Sequence, residues 1–344
     1  MTVNRRLLLA RRPDGVPVDD DFAIDEDTVP DVAPGQLLVR NILVSLDPAM
    51  RGWLDDRPSY QPPVALGDPV RAATVGRVVA SAHPDFAVGS WVSGLNAIAD
   101  YSLVDGSAAF VRKLAPHRPL SHHLSVLGGP GLTAYFGLFE IGRPIAGETI
   151  VVSAAAGAVG SLVGQFARLA GCRTIGIAGG PEKCGRMLHR YGYDAAIDYR
   201  GKSQDELAAE IGRAAPGGVD MIFENVGGVL LDASLQHINR HARIALCGLV
   251  SDYNHMDDPH GARAIWQLIV KCATMQGFLL SGFLDRAGEA HRQIGQWLDD
   301  GLLHVDEHIE HGMENAVPAF RRLFDGTNRG KMILQLCDEE EMAR

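Results

Sequence analysis

The chain has 344 residues, 46% of them hydrophobic and 22% charged, an ordinary globular composition that argues against disorder and, at roughly 150 residues per domain, suits two domains. Against 32 Lys and Arg stand 42 Asp and Glu, a net charge of −10. That sign repels phosphate backbones and disfavours a nucleic-acid partner.

Near the start, the apolar run LLLA (7–10) is flanked by arginines. It is shorter than the roughly 7–15 residues of a signal peptide, and no run approaches the ~18 of a membrane span. No membrane partner and a cytoplasmic location are expected. The first 125 residues alternate short β-type runs, such as QLLVRNILVSL, TVGRVVASA and SWVSGLNAIADYSLV, with Pro, Gly and Asp turns. This spacing predicts a sheet-rich, barrel-like unit over 1–125. Beyond it, strands alternate with helices. TIVVSA (149–154), RTIGIA (173–178), VDMIFENV (219–226), RIALCGL (243–249) and TMQGFLL (274–280) read as buried parallel strands, and AAIDY (195–199) as a weaker one. Between the first two, Val159, Leu162, Val163, Phe166, Leu169 and Ala170 fall on one face of a helix that Gly171 caps. The fold class is α/β, a doubly wound parallel sheet over 126–311 beside a β-rich unit. The tail ENAVPAFRRLFDGTNRGKMILQL reads as helix, turn and strand, and 312–344 is expected to complete the first unit.

The turn VVSAAAGAVG joins a buried strand to an amphipathic helix. Ala155 stands first in the glycine pattern, then Gly157 and Gly160. Glycines there let a dinucleotide pyrophosphate approach the backbone at a helix N-terminus. An NAD site usually carries an acid at the end of the second strand, on the ribose 2′-hydroxyl. Here that strand ends in Ala178, Gly179 and Gly180, with Glu182 and Lys183 following. The missing acid and the nearby lysine favour NADP. Lys183 also reads as a solvated surface lysine, and Glu182 as a first-turn residue suited to the helix dipole.

Five cysteines, Cys172, Cys184, Cys247, Cys272 and Cys337, are an odd number without a CxxC pair, so reduced thiols are expected. His304, His308 and His311 lie in a segment that reads as extended, and His122 and His123 are adjacent, so no convergent metal-ligand set is expected. No GxSxG elbow is present.

The motifs VSLDPAMRGW (44–53), GLTAYFGLFEIGRP (131–144), GETIVVSAAAGAVGSLVGQFARLAGC (147–172), GIAGGPEKC (176–184), FENVGG (223–228), CGLVSDYN (247–254) and GTNRGKMIL (326–334) follow in order over essentially the whole chain. In this set the chain resembles the zinc-independent medium-chain dehydrogenase/reductases. Within them it is similar to the leukotriene B4 dehydrogenase, prostaglandin reductase and alkenal double-bond reductase branch. The resemblance implies a GroES-like first domain, a Rossmann second domain, NADPH and no zinc. Where zinc-dependent relatives have a ligand cysteine, this chain has Asp47 and Pro48. Leu46 and Ala49 depart from the more usual Val and Tyr.

The family's cofactor contacts map onto Gly157, Ala158, Val159 and Gly160 at the pyrophosphate, and onto Lys183 and Tyr199 at the 2′-phosphate. They also map onto Asn225, onto Cys247, Gly248, Leu249, Val250, Ser251 and Tyr253, onto Phe278, Leu279 and Leu280 at the nicotinamide, and onto Asn328. Tyr253 matches the family's tyrosine at the substrate oxygen, and Tyr60 a second substrate-side tyrosine, though Tyr60 also reads as a loop aromatic packed on prolines. The implied reaction is NADPH-dependent reduction of the carbon–carbon double bond of an enal or enone by hydride transfer to the β-carbon. Quinone reduction and a non-catalytic NADPH-binding role are the alternatives. A homodimer is expected, because relatives pair through Rossmann strand edges.

Overall fold

The structure, a computed structural model, describes residues 2–115, 117–259 and 261–338. The chain divides into two compact units, 1–125 with 307–344 and 126–306.

In the first unit, Val3–Leu9 and Phe22–Thr28 form an antiparallel hairpin. A seven-stranded sheet runs in the order Glu307–His311, Lys331–Gln335, Gln36–Leu46, Arg71–Ser81, Trp91–Ala97 and Arg112–Leu114, with Tyr101–Asp105 also paired to Gln36–Leu46. Gln36–Leu46 is covered on both faces, so its side chains are buried almost throughout and it lacks polar alternation. Leu7, Leu9, Val44, Leu46, Trp53, Met332 and Leu334 share one apolar core. The sequence places the return to this unit at 312. The return comes at Glu307, because Glu307–His311 hydrogen-bonds in parallel to Lys331–Gln335. His308 and His311 therefore lie on a strand, as their extended reading has it.

In the second unit, six parallel strands are ordered Ala195–Asp198, Arg173–Ala178, Thr149–Ser153, Val219–Glu224, Ile238–Leu246 and Thr274–Gly277. In chain order this is 3-2-1-4-5-6, the doubly wound Rossmann arrangement. The order reverses between Thr149–Ser153 and Val219–Glu224, which opens a crevice at their carboxyl ends.

Two expectations need correction. The segment 274–280 is not a buried strand: pairing ends at Gly277, and Thr274–Gly277 is the outer edge of the sheet with most of its residues exposed. It has a neighbour on one side only, and Met275, Phe278 and Leu280 pack against the cores while only partly buried. The helix Gly160–Leu169 is not buried on one face alone; every residue from Gly160 to Ala167 is buried. Gly164 explains part of this. A Cβ there would lie 2.1 Å from the Tyr193 ring, so the bare backbone lets that ring pack on what would be the polar face. Gly171, at φ +81°, ends the helix in the left-handed conformation that glycine adopts without strain.

Candidate active site

The first crossover fixes the glycine turn. After Thr149–Ser153 the backbone turns sharply at Ala154, φ +48°. The Ala155 N–H donates to the Ile177 carbonyl at 3.0 Å, which ties the turn to the second strand. A Cβ on Gly160 would lie 2.4 Å from the Ala154 carbonyl oxygen and 2.8 Å from the Ala155 Cα. Only glycine allows the helix to start so close to the strand. The Tyr193 hydroxyl donates to the Gly160 carbonyl at 2.6 Å, which pins that start from behind. Gly157, Ala158, Val159 and Gly160 thus border a helix N-terminus where the Ser161 and Leu162 N–H groups already donate to the Gly157 and Val159 carbonyls, both at 3.0 Å. The bare glycine backbone and the helix dipole suit a phosphate group, so the turn fits a dinucleotide.

The second strand ends at Ala178, and Gly180, φ +94°, leads into the helix Pro181–His189. Lys183 sits in that helix's first turn. Glu182 is exposed and pairs with Arg186 at 3.5 Å, so it does not replace the missing strand-end acid. Tyr199 follows Ala195–Asp198, and its ring carbons would lie 3.1 Å from a Cβ on Gly179. The 3-2-1 strand order therefore brings Lys183 and Tyr199 to one end of the sheet.

Across the crevice, Val219–Glu224 ends in a carboxylate that the sequence reading missed. Glu224 is fully buried. Its Oε1 accepts from Ser153 Oγ at 2.6 Å and from the Val226 and Gly227 N–H groups at 2.6 and 2.8 Å. It thereby shapes the NVGG turn. Burial pushes its carboxyl up, against the donors from Ser153, Gly227, Val226 and Asn225. The signal was present in VDMIFENV: an acid at the end of an otherwise apolar strand needs buried donors. Asn225 Nδ2 donates to the Ser153 carbonyl at 2.7 Å, so its amide nitrogen is taken up in joining two strand ends.

The segment from Cys247 to Tyr253 follows Ile238–Leu246. The Cys247 and Gly248 N–H groups donate to the Glu224 carbonyl at 2.8 and 3.2 Å, the Val250 N–H to the Asn225 carbonyl at 3.1 Å, and the Ser251 N–H to the Val226 carbonyl at 3.0 Å. The two strand ends are therefore laced together. Burial, with the charge of Glu224, pushes the Cys247 thiol up to about 12, too high for a nucleophile at neutral pH. The loop folds the Tyr253 hydroxyl back over Gly248: a Cβ there would lie 2.9 Å from that oxygen and 3.2 Å from the Asn225 carbonyl.

At 278–280 the Phe278 ring lies edge-on to Phe223, centroids 6.2 Å apart. A Cβ on Gly137 would lie 2.4 Å from its tip. The ring is thus packing, which leaves the backbone as the group available to a ligand. Leu279 is exposed and Leu280 opens a short 3-10 helix.

Two predicted residues lie in the first unit. Tyr60 is half exposed and stands edge-on to Trp53, centroids 6.1 Å apart. Asn328 is buried and donates from Nδ2 to the Gly330 carbonyl at 3.0 Å. Beside it, the buried Lys331 donates to the Leu46 carbonyl at 2.7 Å and to Asp47 at 2.6 Å. Burial pushes this ammonium's pKa down, opposed by Asp47. A cavity of about 430 Å³ in the same unit, lined among others by Asn4, Arg6, Asn96, Tyr101 and Phe110, holds none of the predicted site residues. Among the described residues, no three His, Cys, Asp or Glu side chains are grouped to hold a metal ion.

A doubly wound sheet with a glycine-lined helix start at its switch point defines a dinucleotide-dependent enzyme. Comparison with known proteins narrows the class. Residues 5–111 match the family model described as the N-terminal domain of oxidoreductase, and residues 158–294 the one described as zinc-binding dehydrogenase. The chain is 42% identical to the NADPH-dependent curcumin reductase of Escherichia coli (strain K12), covering 98% of each chain. It is 35% identical to the 2-alkenal reductase (NADP(+)-dependent) of Nicotiana tabacum, again over 98% of each. The crystal structure of CurA in complex with NADPH from Vibrio vulnificus matches with a TM-score of 0.91 and 41% identity, covering 97% of this chain and 99% of that one. The chain belongs to the NADPH-dependent enone and alkenal reductase branch of the medium-chain dehydrogenase/reductases. It is an NADP(H)-dependent oxidoreductase.

Proposed function

We propose that the chain reduces the carbon–carbon double bond of α,β-unsaturated aldehydes and ketones, with Tyr253 as the donor to the substrate's carbonyl oxygen. Bound NADPH supplies the hydride, which goes to the β-carbon. Negative charge then develops on the carbonyl oxygen as an enolate. A phenol is a donor at neutral pH, and a donor stronger at the enolate than at the ketone lowers the barrier. The observation that carries this reading is the fold-back of the Tyr253 hydroxyl over Gly248, at the carboxyl ends of the parallel strands. Relatives named for curcumin and 2-alkenal reduction support the substrate class. Tyr60 is assigned to the substrate side, and Asn225, Asn328 and 278–280 to the cofactor, on the motif match.

No metal is assigned to the reaction. Asp47, in the stretch where zinc-dependent relatives carry a ligand cysteine, is already held by Lys331 and by the Ser45 hydroxyl. A homodimer through the outer edge of the Rossmann sheet is also proposed. Trp266 and Ile269 are 65% and 67% exposed, with Ile265, Val270 and Leu279 exposed nearby, beside the unpaired edge of Thr274–Gly277. Apolar groups clustered on a sheet edge suit a second copy. A cytoplasmic location is also proposed, on the odd count of five cysteines without a CxxC pair.

The test is NADPH oxidation with a panel of enals, enones and a quinone, with products identified by NMR. Saturated carbonyl products carrying deuterium at the β-carbon from deuterated NADPH are expected. Turnover of the quinone alone would favour the quinone reductase reading. Tight NADPH binding without oxidation would favour a non-catalytic role.

A further inference from the structure

We propose that Arg200 is a second cation reading the 2′-phosphate of NADPH, opposite Lys183, and that it sets preference for NADPH over NADH. The proposal rests on the reading of Lys183 and Tyr199 as the residues at that phosphate.

The geometry begins with the two glycines that end the second strand. A Cβ on Gly179 would lie 3.0 Å from Arg200 Nε and 3.1 Å from the Tyr199 ring, and one on Gly180 would lie 3.4 Å from Arg200 Nη1. The guanidinium and the phenol ring therefore both lie against bare backbone at the spot where an NAD site carries its acid. Gly180 then enters the helix Pro181–His189, whose first turn holds Lys183. The guanidinium and the phenol ring thus lie at one strand end, and Lys183 stands in the first turn of the helix that follows, at an N-terminus whose dipole favours an anion.

The arrangement is held by the Asp198 carboxylate at the end of the third strand. Asp198 Oδ1 accepts from the Gly180 N–H at 2.8 Å and from the Arg200 N–H at 3.0 Å. Burial pushes the Asp198 carboxyl up, but those two donors with Lys202 and Arg200 outweigh it and hold it below the usual range. The acid thus clamps the two loops together with its charge partly spent on their backbones. The Arg200 side chain itself has no hydrogen-bond or ion-pair partner among the described residues. Its donors form a planar fork that matches phosphate oxygens. The other nearby anion, Glu182, pairs with Arg186. An arginine near the second strand's end is the usual device for accepting a 2′-phosphate.

The test is equilibrium titration of the full chain and of Arg200→Ala, Arg200→Lys and Lys183→Ala. Each is titrated with NADPH, with NADH, and with adenosine 2′,5′-bisphosphate against adenosine 5′-monophosphate. Because Arg200 is exposed, a loss toward the low end for a charged hydrogen bond is expected. For Arg200→Ala that is about 5- to 20-fold weaker NADPH and bisphosphate binding, with NADH and the monophosphate nearly unchanged. Arg200→Lys should recover part of the loss, and the salt dependence of NADPH binding should flatten in Arg200→Ala. Discrimination lost in Lys183→Ala but kept in Arg200→Ala overturns the proposal and leaves the phosphate site in place. Discrimination kept in both variants overturns the phosphate site as well. Equal losses for both cofactors in Arg200→Ala, with an unchanged melting temperature, would show a general positioning role and also overturn it.

Discussion

The phenol oxygen of Tyr253 occupies the space that a side chain at residue 248 would need. A Cβ on Gly248 would lie 2.9 Å from it and 3.2 Å from the Asn225 carbonyl, and the second contact is to backbone, which cannot swing aside. Gly248→Ala should therefore displace the phenol. Tyr253→Phe removes the hydroxyl and keeps the ring. If the hydroxyl donates to the enolate oxygen, kcat should fall roughly 10- to 100-fold in Tyr253→Phe with little change in NADPH affinity. Gly248→Ala should give a loss of similar kind, and the double variant should be no worse than the poorer single one. Steady-state kinetics with several enones checks this. A kcat for Tyr253→Phe within about twofold of the parent would falsify the catalytic role.

Much of this fold is legible in the sequence, because burial on both faces removes polar alternation from parallel strands. The runs 149–154, 173–178 and 219–226 show it. The glycine turn is legible for a related reason: Gly160 is where the helix meets the Ala154 carbonyl, and no other residue fits. The outer strand is not, since TMQGFLL is as apolar as its neighbours, yet its pairing stops at Gly277 and Thr274–Gly277 is mostly exposed. Arg200 is invisible for a topological reason. Residues 179 and 200 become neighbours only once the third strand pairs with the second. Glu224 is the intermediate case, an acid in an apolar run whose donors, Ser153 and the 226–227 backbone, come from two segments.

Metal removal should be silent. Asp47 is committed to Lys331, and no other cluster of ligating side chains is grouped among the described residues. Dialysis against a strong chelator should leave both the reductase rate and the melting temperature unchanged. Stoichiometric zinc in purified protein, lost in step with activity, would show that a ligand set assembles that this reading lacks.

The apolar edge predicts an oligomer that one charge can break. Trp266, Ile269 and Val270 recur at i, i+3 and i+4 on the helix Trp266–Lys271 and so share a face. Trp266→Glu would place a charge in the middle of a buried interface, which is strongly unfavourable. Sedimentation should show two chains for the parent and one for the variant, with cofactor binding retained. A parent that sediments as a single chain at micromolar concentration would remove the dimer from the proposal.

Glu224 gives a prediction in pH. Its carboxyl is buried and its Oε2 has no partner among the described residues, so burial raises its pKa in the folded protein. An acid whose folded pKa lies above the unfolded one, about 4.3, carries its full favourable contribution at low pH. That contribution is lost as pH rises toward the folded pKa, because the native state must then bury a charge. Glu224→Gln keeps an oxygen to accept from Ser153 and from the 226–227 backbone, and it does not titrate. The burial of its amide nitrogen adds a cost that does not change with pH. The melting temperature of the variant minus that of the parent should therefore climb as pH rises above about 4 and level off once the parent is ionised. Other titrating groups are shared by the two proteins and cancel in the difference. Melting curves from pH 4 to 8 measure it. A difference that stays flat or falls over that range would mean that the three donors on Oε1 outweigh burial, and that the NVGG turn is built on a carboxylate charged throughout.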